Sequence, residues 1–348
     1  MKLGLGLDLY RAKTLDVPVD LVKLCEDHGY HSVWTAEAYG SDALTPLAFL
    51  AAHTRRIKLA TGIVQIAART PAATAMHAMS IDHLAGGGRV IIGLGVSGPQ
   101  IVEGWYGQPW GTPNTRLRDY VAIMRKVLAR DEPVTHDGGE ISLPYTGPGS
   151  NGEGKALKSI LHPAGEVEIW IAAGGPMNTA LAGEVADGWL PMGEGPDSRV
   201  ALERGFERRG GRPDGFDVFG NLTIEVTDDV QAAIDARKPL TGMYVGGMGS
   251  RDNNFHRDAM ARRGFPDEAQ RIQDLWLAGE KEQAIAAVPD EYVDMGSLMG
   301  SPDRIRQRWD QVAVGEGLTG FTIRGNIDEA YVIAAEMTGA RDAVEAAT

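Results

Sequence analysis

The fold is decided by a short run in which apolar residues follow one another without alternation, Arg89-Val90-Ile91-Ile92-Gly93-Leu94-Gly95-Val96. A strand that is apolar on both faces is typical of a parallel sheet, because helices cover one face and the packed interior covers the other. Three glycines at positions 86–88 precede the run and are expected to end a helix there. We therefore predict a buried parallel strand.

The same alternation of strand and helix extends in both directions from this run. Before it, three strand patterns alternate with helical ones, and Pro71 stands in the first turn of a helix, where its missing N–H has no cost. After a long excursion the alternation resumes. Eight strands are predicted in all, at residues 3–7, 31–35, 57–63, 89–96, 168–172, 188–192, 217–226 and 320–324.

Short links between alternating strands and helices favour parallel βαβ units. A sheet of eight parallel strands loses both free edges when it closes, so the sequence predicts an α/β fold, a (β/α)8 TIM barrel with insertions. A doubly wound open sheet is the alternative. We predict one domain over residues 1–348, with insertion segments at about 97–166 and 240–300. Excursions this long are usually functional or disordered.

Composition indicates an ordinary globular enzyme. Hydrophobic residues make up 43% of the 348 residues, and no apolar run approaches the ~18 residues needed to span a bilayer. The formal net charge of −13 argues against nucleic acid and anionic membranes as partners. The lone cysteine, Cys25, cannot form an intramolecular disulfide and is predicted to be a small core residue, which fits a reducing, cytoplasmic location.

The active site of such a barrel lies at the carboxyl ends of its strands. Asp8 follows the first strand, and Glu37 and Tyr39 follow the second. Glycine clusters follow the fourth and fifth strands, at residues 95–99 and 174–176. The second cluster leads straight into a helix, where unpaired N–H groups and the helix dipole favour a phosphate. The alternative for each cluster is a tight turn without a ligand.

Three other kinds of site find no support in the sequence. Residues 93–98 have the spacing Gly-x-Gly-x-x-Gly, but a dinucleotide motif also needs a helix that begins within it, and here the excursion begins. The eight histidines show no metal-ligand spacing, so no metal is predicted. A Gly-x-Ser-x-Gly nucleophile motif is not present.

Several strand ends carry motifs of a known family. The most distinctive are Val33-Trp34-Thr35-Ala36-Glu37, Leu59-Ala60-Thr61-Gly62-Ile63-Val64, Val96-Ser97-Gly98-Pro99-Gln100 and Ile169-Trp170-Ile171-Ala172-Ala173-Gly174-Gly175-Pro176. In these motifs the chain resembles the luciferase-like monooxygenase superfamily, and within it the actinobacterial oxidoreductases that use coenzyme F420, a deazaflavin. The resemblance covers nearly the whole chain. It implies a barrel with insertions, a small-molecule substrate and a homodimer.

The resemblance also implies where the deazaflavin binds. A non-prolyl cis peptide bond at Gly62-Ile63 would press backbone against the ring, and the residues that follow would reach its pyrimidine edge. The fourth strand would contact the ring or its side chain, and the fifth would line the ribityl-phosphate end. The implied cofactor-binding residues are Gly62, Ile63, Val64, Gln65, Ser97, Gly98, Ala173, Gly174, Gly175 and Pro176.

The chain departs from the best-known members of the subgroup in the residues that move a proton. Sugar-phosphate dehydrogenases carry an Asp-His pair after the second strand, where this chain has Glu37-Ala38. They also carry a glutamate after the fourth strand, where this chain has Pro99 or Gln100. The resemblance therefore does not extend to the glucose-6-phosphate reaction.

Candidates for the catalytic acid or base remain at the strand ends: Glu37, Tyr39 and Asp8. Each has an alternative role, since Glu37 could bind backbone amides, Tyr39 could pack at the rim and Asp8 could cap the next segment. Arg69 and Arg116 are candidates for pairing with an anionic cofactor tail or substrate, because arginine binds carboxylate and phosphate in two places at once.

Three functions remain open. The first is an F420-dependent oxidoreductase that transfers a hydride between the deazaflavin C5 and an apolar organic substrate. The second is an FMN-dependent monooxygenase, which the same barrel can host. The third is an F420-binding protein without a substrate, because a fold does not guarantee activity.

Overall fold

The run at residues 89–96 is a strand, as predicted, and it belongs to a ring of parallel strands. The structure is a computed structural model that describes residues 1–192, 196–248, 254–315 and 317–341. Within these residues the strands are β1 Lys2–Gly6, β2 Ser32–Thr35, β3 Lys58–Gln65, β4 Val90–Gly95, β5 His136–Asp137, β6 Ser142–Leu143, β7 Val167–Ala173, β8 Gly188–Pro191, β9 Asp217–Val226, β10 Ser297–Gly300 and β11 Gly320–Gly325.

Eight of these strands close into a barrel. Their order is β9-β11-β1-β2-β3-β4-β7-β8, and β8 pairs back onto β9, where Gly188 lies opposite Asp217. All eight correspond to the strands predicted from the sequence, so the TIM-barrel prediction is confirmed and the open sheet is excluded. In this ring every strand has two neighbours, and the carboxyl ends of all eight point to one face.

The described helices follow the strands in the order expected for βα units. They are α1 Val19–Asp27, α2 Leu44–Ala51, α3 Pro71–Ala85, α4 Pro99–Gly104, α5 Pro113–Ala129, α6 Pro176–Val185, α7 Pro196–Arg209, α8 Val230–Gly247, α9 Phe255–Arg262, α10 Pro266–Leu277, α11 Lys281–Ala286, α12 Asp290–Met295, α13 Pro302–Val312 and α14 Asp328–Thr338. The ends of helix α3 are set by residues with known capping preferences. The Thr70 hydroxyl accepts from the Ala73 N–H, Pro71 begins the first turn, and Gly86 ends the helix at φ 91°.

The chain divides into two compact units. Unit 1 comprises Met1–Gly220, Gly317–Thr322 and the residues from Thr338 onward, and unit 2 comprises Asn221–Glu316 and Ile323–Met337. Unit 1 contains β1 to β4, β7 and β8 together with residues 217–220 of β9 and 320–322 of β11.

The interior of the barrel is filled by aromatic rings in unit 1. Trp34 lies 5.2 Å from Trp170, and Trp170 lies 5.2 Å from Phe219, measured between ring centroids. Each ring occupies space that a glycine on another strand leaves open. A Cβ on Gly4 would stand 2.4 Å from Trp34, one on Gly188 would stand 2.4 Å from Trp170, and one on Gly320 would stand 2.5 Å from Phe219. The barrel is therefore a packed core rather than a pore.

Charged pairs lie at the amino ends of the strands. Lys2 Nζ lies 2.5 Å from Asp217 Oδ2, and Lys58 pairs with Glu168, which also accepts from the Trp170 indole N–H at 2.9 Å. His31 lies among them. Burial, together with the charges of Lys58 and Lys2, lowers the pKa of His31 to about 4, against the opposing effect of Asp217.

The first insertion segment is attached to the barrel through helix α5. Asp119 of α5 is buried, and its Oδ2 accepts from the backbone N–H groups of Glu140 and Ile141 at 2.8 and 3.0 Å. Its Oδ1 lies 3.0 Å from His136 Nε2 in the small β5–β6 hairpin. One buried carboxylate thus holds the hairpin in place.

Unit 2 contains the second insertion segment, whose described residues are mostly helical. Its core is formed by buried apolar residues of α8 to α12 together with Met299 of β10. Asn254 is fully buried, where its side chain caps α9 and donates to the Val245 carbonyl at 2.6 Å. Strand β10 was not among the predicted strands, because four residues between two helical stretches carry too little periodicity. It pairs in parallel with residues 223–226 of β9.

Two further features concern what the described residues lack. None of the described helices is long and apolar enough to cross a membrane. Among the same residues, no group of three or more histidine, cysteine, aspartate or glutamate side chains is arranged to hold a metal ion.

We expect His31 to make the protein less stable as the pH falls below neutrality. Its pKa is about 4 in the folded protein against 6.5 as the ordinary value, so between these pH values the unfolded chain binds a proton that the folded one does not. The free energy of unfolding should therefore fall with decreasing pH from 6.5 toward 4, by at most ~1.4 kcal/mol per pH unit from this group.

Substitution His31→Gln should flatten this part of the pH profile, measured by urea denaturation at several pH values. The matched control is His77→Gln, which removes an exposed histidine. Profiles of equal slope for the wild type and His31→Gln would contradict the assignment.

Candidate active site

All candidate site residues predicted from the sequence lie in unit 1 at the carboxyl ends of barrel strands. Asp8 stands two residues beyond β1, and Glu37 and Tyr39 follow β2. The remaining candidates belong to three strand ends: residues 62–65 complete β3, residues 97–98 follow β4, and residues 173–176 join β7 to α6. Because these strands are parallel, their ends share one face of the barrel.

The end of β3 is irregular at the position that the resemblance implied. The Gly62–Ile63 peptide bond is cis, as predicted. The register against β4 shifts between Thr61, which faces Ile92, and Val64, which faces Leu94. The hydroxyl of Thr61 bonds both the N–H and the carbonyl of Gly93, at 2.9 and 3.0 Å, which fixes β4 beside the irregular segment.

The two glycines of β4 make room for this segment rather than for a dinucleotide. A Cβ on Gly93 would stand 2.0 Å from the Thr61 carbonyl oxygen, and one on Gly95 would stand 2.8 Å from the Ile63 side chain. Contacts this short do not occur between real atoms, so position 93 requires glycine beside the Thr61 backbone, and a side chain at position 95 would displace that of Ile63. The Gly-x-Gly-x-x-Gly spacing therefore has a packing cause.

The carboxylate of Glu37 holds the β2 and β3 ends together. Its Oε1 accepts from the Gln65 N–H at 2.8 Å and from Arg69 Nη1 at 2.8 Å. Its Oε2 accepts from the Ala43 N–H at 3.2 Å and from Arg69 Nη2 at 3.0 Å. The Glu37 side chain is only 3% exposed and that of Arg69 18%.

These contacts favour a role for Glu37 in binding backbone amides over a role as the catalytic acid or base. The two oxygens of this carboxylate accept four hydrogen bonds, two of them from one guanidinium, so their lone pairs are already occupied by groups of the chain. Burial works against the charge on Arg69, but the bonds to Glu37 raise the pKa of Arg69 above its ordinary value. The Arg69 guanidinium is thus already paired within the chain, and its pairing with an external anion stays a prediction.

Arg69 is itself held by a buried tyrosine that the sequence did not single out. Tyr120 of α5 donates to the Arg69 carbonyl at 3.1 Å, and its hydroxyl lies 2.5 Å from that of Thr74 in α3. Burial raises the pKa of Tyr120 to about 12. A buried tyrosine needs a partner for its hydroxyl, but the identity of that partner depends on packing that no sequence motif records.

Gln65 presents an unsatisfied acceptor. Its Nε2 donates to the Glu37 carbonyl at 3.1 Å, which fixes the orientation of the carboxamide. Its Oε1 is buried and accepts no hydrogen bond from the described residues. A buried polar atom without a partner is costly, so such an atom at a strand end indicates a place for a donor from outside the chain.

Residues 97–98 turn the chain sharply after β4. Ser97 has φ 60°, in the left-handed region that few residues other than glycine occupy, and Gly98 continues in an extended conformation. Non-glycine residues in this region are concentrated at functional sites. The turn directs the backbone from the end of β4 into the short helix α4.

The β7–α6 junction is built around an uncapped helix start. The Ala173 carbonyl is occupied by the Trp189 indole and the Met192 N–H, both at 3.0 Å. A Cβ on Gly174 would stand 2.9 Å from the Met192 carbonyl oxygen, whereas one on Gly175 would meet nothing within 4 Å. Helix α6 begins at Pro176 with no side-chain cap and no acidic residue in its first turn. An uncapped helix start of this kind suits an anion.

The other candidates have more ordinary surroundings. The Tyr39 side chain is 69% exposed, with its ring edge-on to Trp105 at 6.4 Å. The Asp8 carboxylate is 33% exposed and lies 3.8 Å from Arg11 Nη1, and its side chain caps no helix. Arg116 pairs with Glu140 at 2.9 Å, and its role as a partner for an external anion stays a prediction.

A half-buried tyrosine also lies at this face. Tyr106 donates to the Ala38 carbonyl at 3.1 Å and so ties the first insertion segment to the loop after β2. Burial raises the pKa of Tyr106, and the nearby Glu37 charge adds to the effect.

Comparison with known proteins identifies relatives along nearly the whole length of the chain. The family model for luciferase-like monooxygenases matches residues 4–319. A Mycobacterium tuberculosis protein, provisionally named as a coenzyme F420-dependent oxidoreductase, is 45% identical over 325 residues, which are 91% of this chain and 92% of that protein. A 5,10-methylenetetrahydromethanopterin reductase from Methanolobus tindarius is 30% identical over 91% of this chain and 94% of its own.

The fold also matches a solved structure. The coenzyme F420-dependent tetrahydromethanopterin reductase from Methanopyrus kandleri superimposes with a TM-score of 0.73 over 97% of both chains, at 24% identity.

We expect Glu37→Gln to destabilise the protein by about 3 kcal/mol, because it leaves the buried Arg69 guanidinium without its carboxylate. The free energy of unfolding is measured by urea denaturation. The matched control is Asp27→Asn, which removes one partner of the exposed Arg56–Asp27 pair at 3.5 Å and should change stability by less than about 0.5 kcal/mol. If Glu37 is instead the catalytic base, Glu37→Gln should abolish activity and leave the free energy of unfolding near that of the wild type.

Proposed function

The chain belongs to the luciferase-like monooxygenase family, and we propose that it is an oxidoreductase that binds coenzyme F420 and transfers a hydride between this deazaflavin and an apolar organic substrate. The family assignment sets the fold and the face of the barrel. The choice of F420 over FMN is supported by the 45% identical mycobacterial relative and by the two methanopterin reductases, whose cofactor in one case is named as F420.

One structural observation carries the proposal: the buried, unpartnered Oε1 of Gln65 at the end of β3. The pyrimidine edge of a deazaflavin presents an N–H between two carbonyl groups, and this N–H is a suitable donor for such an acceptor. The amide orientation is not free to reverse, because Gln65 Nε2 already donates to the Glu37 carbonyl. The residue therefore selects a ligand that donates at this point.

The phosphate end of the cofactor fits the same face at the end of β7, two strands away from β3. Gly174 and Gly175 bring backbone N–H groups to the uncapped start of α6, where an acidic residue is absent from the first turn. The open space beside Gly175 leaves room for phosphate oxygens. Both ends of the predicted cofactor-binding set thus have residues that fit the group.

When bound, the deazaflavin supplies a ring carbon that accepts or releases a hydride, and the protein places this carbon against the substrate. The residues of this chain hold the ring in one orientation. Ile63 and Gln65 are fixed through Glu37, whose backbone N–H bonds the Ile63 carbonyl at 3.3 Å and whose carboxylate bonds the Gln65 N–H. Positioning of this kind contributes to catalysis because a small displacement of the reacting atoms lowers the rate strongly.

A hydride transfer also needs a group that exchanges a proton with the substrate. Glu37 is excluded by its four hydrogen bonds, and Tyr39 is largely in solvent. We therefore assign the exchange of a proton with the substrate to the carboxylate of Asp8. Asp8 lies just beyond the end of β1, beside β2, and its side chain is one-third exposed.

Titration with F420 and with FMN tests the cofactor assignment. We expect F420 to bind and FMN to bind more weakly, as measured by fluorescence quenching. The variant Gly175→Asp should lose at least about ten-fold in affinity for F420, because its carboxylate takes the place of the phosphate. The same carboxylate should cap α6, so the thermal midpoint should stay equal or rise.

The matched control is Gly175→Ala, whose Cβ has open space and whose backbone at φ −92° is ordinary. It should bind F420 like the wild type. Tight binding of FMN alone would overturn the cofactor assignment, and an unchanged affinity in Gly175→Asp would overturn the phosphate site.

Asp8→Asn should lower kcat by about 100-fold and leave the affinity for F420 unchanged, because the amide cannot exchange the proton. The measurement is the rate of oxidation of reduced F420 with a panel of enones, ketones and imines. Tyr39→Phe serves as the control and should retain kcat within about two-fold. A large loss in Tyr39→Phe with normal rates in Asp8→Asn would reverse the assignment.

A further inference from the structure

Two exposed aromatic rings meet at the carboxyl face of the barrel in unit 1. Tyr39, in the loop after β2, is 69% exposed, and Trp105, which follows α4, is 62% exposed. Their ring centroids lie 6.4 Å apart and their planes meet at 61°, so the two rings form a corner and not a stack. We call this pair the aromatic corner. Large apolar side chains that are exposed side by side are typical of binding sites.

The aromatic corner lies beside the strand end where we place the cofactor ring. Tyr39 follows β2 and Trp105 follows β4, and β3 is the strand between these two in the barrel. A second contact joins the same two segments, because Tyr106 donates to the Ala38 carbonyl at 3.1 Å. The segments therefore approach each other beside the end of β3, which carries Gln65.

The backbone on both sides of the aromatic corner is held by packing. On the β2 side, a Cβ on Gly40 would stand 1.9 Å from the Tyr10 carbonyl oxygen, so the loop after β2 packs directly on the loop after β1. On the α4 side, the Trp105 N–H bonds the Ile101 carbonyl at 3.0 Å, and the buried Val102 anchors the helix. Rings on a fixed backbone lose little entropy when a ligand binds, so they suit recognition.

Asp8, to which we assign proton exchange, lies in the loop that packs against the β2 side of the corner. It stands two residues before Tyr10, whose carbonyl meets Gly40, and Gly40 directly follows Tyr39. A substrate whose reducible group reaches Asp8 therefore has the rest of its structure beside the aromatic corner. The proposed phosphate site is on β7, beyond β4, so the corner belongs to the substrate and not to the phosphate.

The chemistry of the aromatic corner favours an uncharged, flat ligand. Two arginines of the adjoining loops have carboxylates beside them, since Arg69 pairs with Glu37 and Arg11 lies 3.8 Å from Asp8. The corner thus offers ring faces and ring edges. An aromatic face is negative and an aromatic edge is positive, so a third ring can stack on one wall and meet the other edge-on. A saturated ring has similar apolar area but no such charge distribution.

We propose that Trp105 is a specificity-determining residue whose ring binds a planar, conjugated ring carried by the substrate next to its reducible group. Tyr39 is a positioning residue, because its ring packs against that of Trp105. The inference rests on the proposed function, since the reducible group has to lie between the deazaflavin and Asp8. It narrows the substrate from apolar organic compounds in general to those with an aromatic ring, such as aryl enones.

The experiment compares two enones that differ in the saturation of one ring: benzylideneacetone, which carries phenyl, and the compound in which cyclohexyl replaces phenyl. Their dissociation constants are measured by calorimetry on protein saturated with oxidised F420, which has no hydride to donate. The wild type should bind the phenyl compound about five-fold more tightly. Hydrophobic area does not account for such a preference, because the saturated ring is at least as apolar.

Trp105→Ala should abolish this preference, so that the two affinities agree within about two-fold. Tyr39→Ala should reduce the preference to about two-fold, whereas Trp105→Phe and Tyr39→Phe keep a ring and should retain at least about three-fold. The matched control is Phe49→Ala, which removes a half-exposed aromatic ring from α2 in the same unit and should leave the preference unchanged. Thermal midpoints and F420 affinities check that each variant is folded and loaded.

Equal affinities of the two enones in the wild type would overturn the inference, as would binding of neither enone or an unchanged preference in Trp105→Ala. If Trp105→Ala kept the preference but changed a dimer to a monomer, measured by light scattering, its ring would belong to a contact with a second copy. In all these cases F420 still binds and the proposed function stands. Failure of F420 to bind the wild type would instead contradict the proposed function.

Discussion

The buried charge of Glu37 is the constraint on which the candidate site depends. A carboxylate that is 3% exposed must be paired, and Arg69 supplies the opposite charge from a segment 32 residues away in the chain. The pair fixes the Gln65 backbone at the end of β3, and Tyr120 in turn fixes the Arg69 carbonyl from α5. The position of the strand ends therefore depends on a chain of buried polar contacts that reaches from the barrel to its helices.

The two ends of the barrel differ in whether their polar groups have partners within the chain. At the amino ends, Lys2 and Lys58 find carboxylate partners, and His31 is kept neutral among them. At the carboxyl ends, the Gln65 acceptor and the first turn of α6 remain without partners in the described residues. Satisfied groups contribute to stability, whereas unsatisfied ones indicate where the protein binds something else. The contrast is in accord with a barrel whose function resides at one face only.

The barrel could be predicted from the sequence because its strands are short apolar runs at regular spacing, and all eight were found. Strand β10 could not, since Ser297–Gly300 is too short to show a period. The cis bond at Gly62–Ile63 came from the resemblance and not from any physical property of the residues.

The sequence could not decide whether Glu37 is a catalytic acid or base or a residue that binds backbone amides. The answer depends on Arg69, which comes close to Glu37 only in the folded protein. The homodimer and the cytoplasmic location stay predictions.

The glycines inside the barrel have a consequence for how this sequence can change. Trp34, Trp170 and Phe219 each fill the volume that Gly4, Gly188 or Gly320 leaves open. The volumes of the two members of a pair are coupled. A larger residue in place of the glycine fits only if the aromatic residue is replaced by a smaller one at the same time. We therefore expect strong epistasis within such pairs. Replacing both members by residues of intermediate size should be tolerated, whereas either single substitution should destabilise the protein.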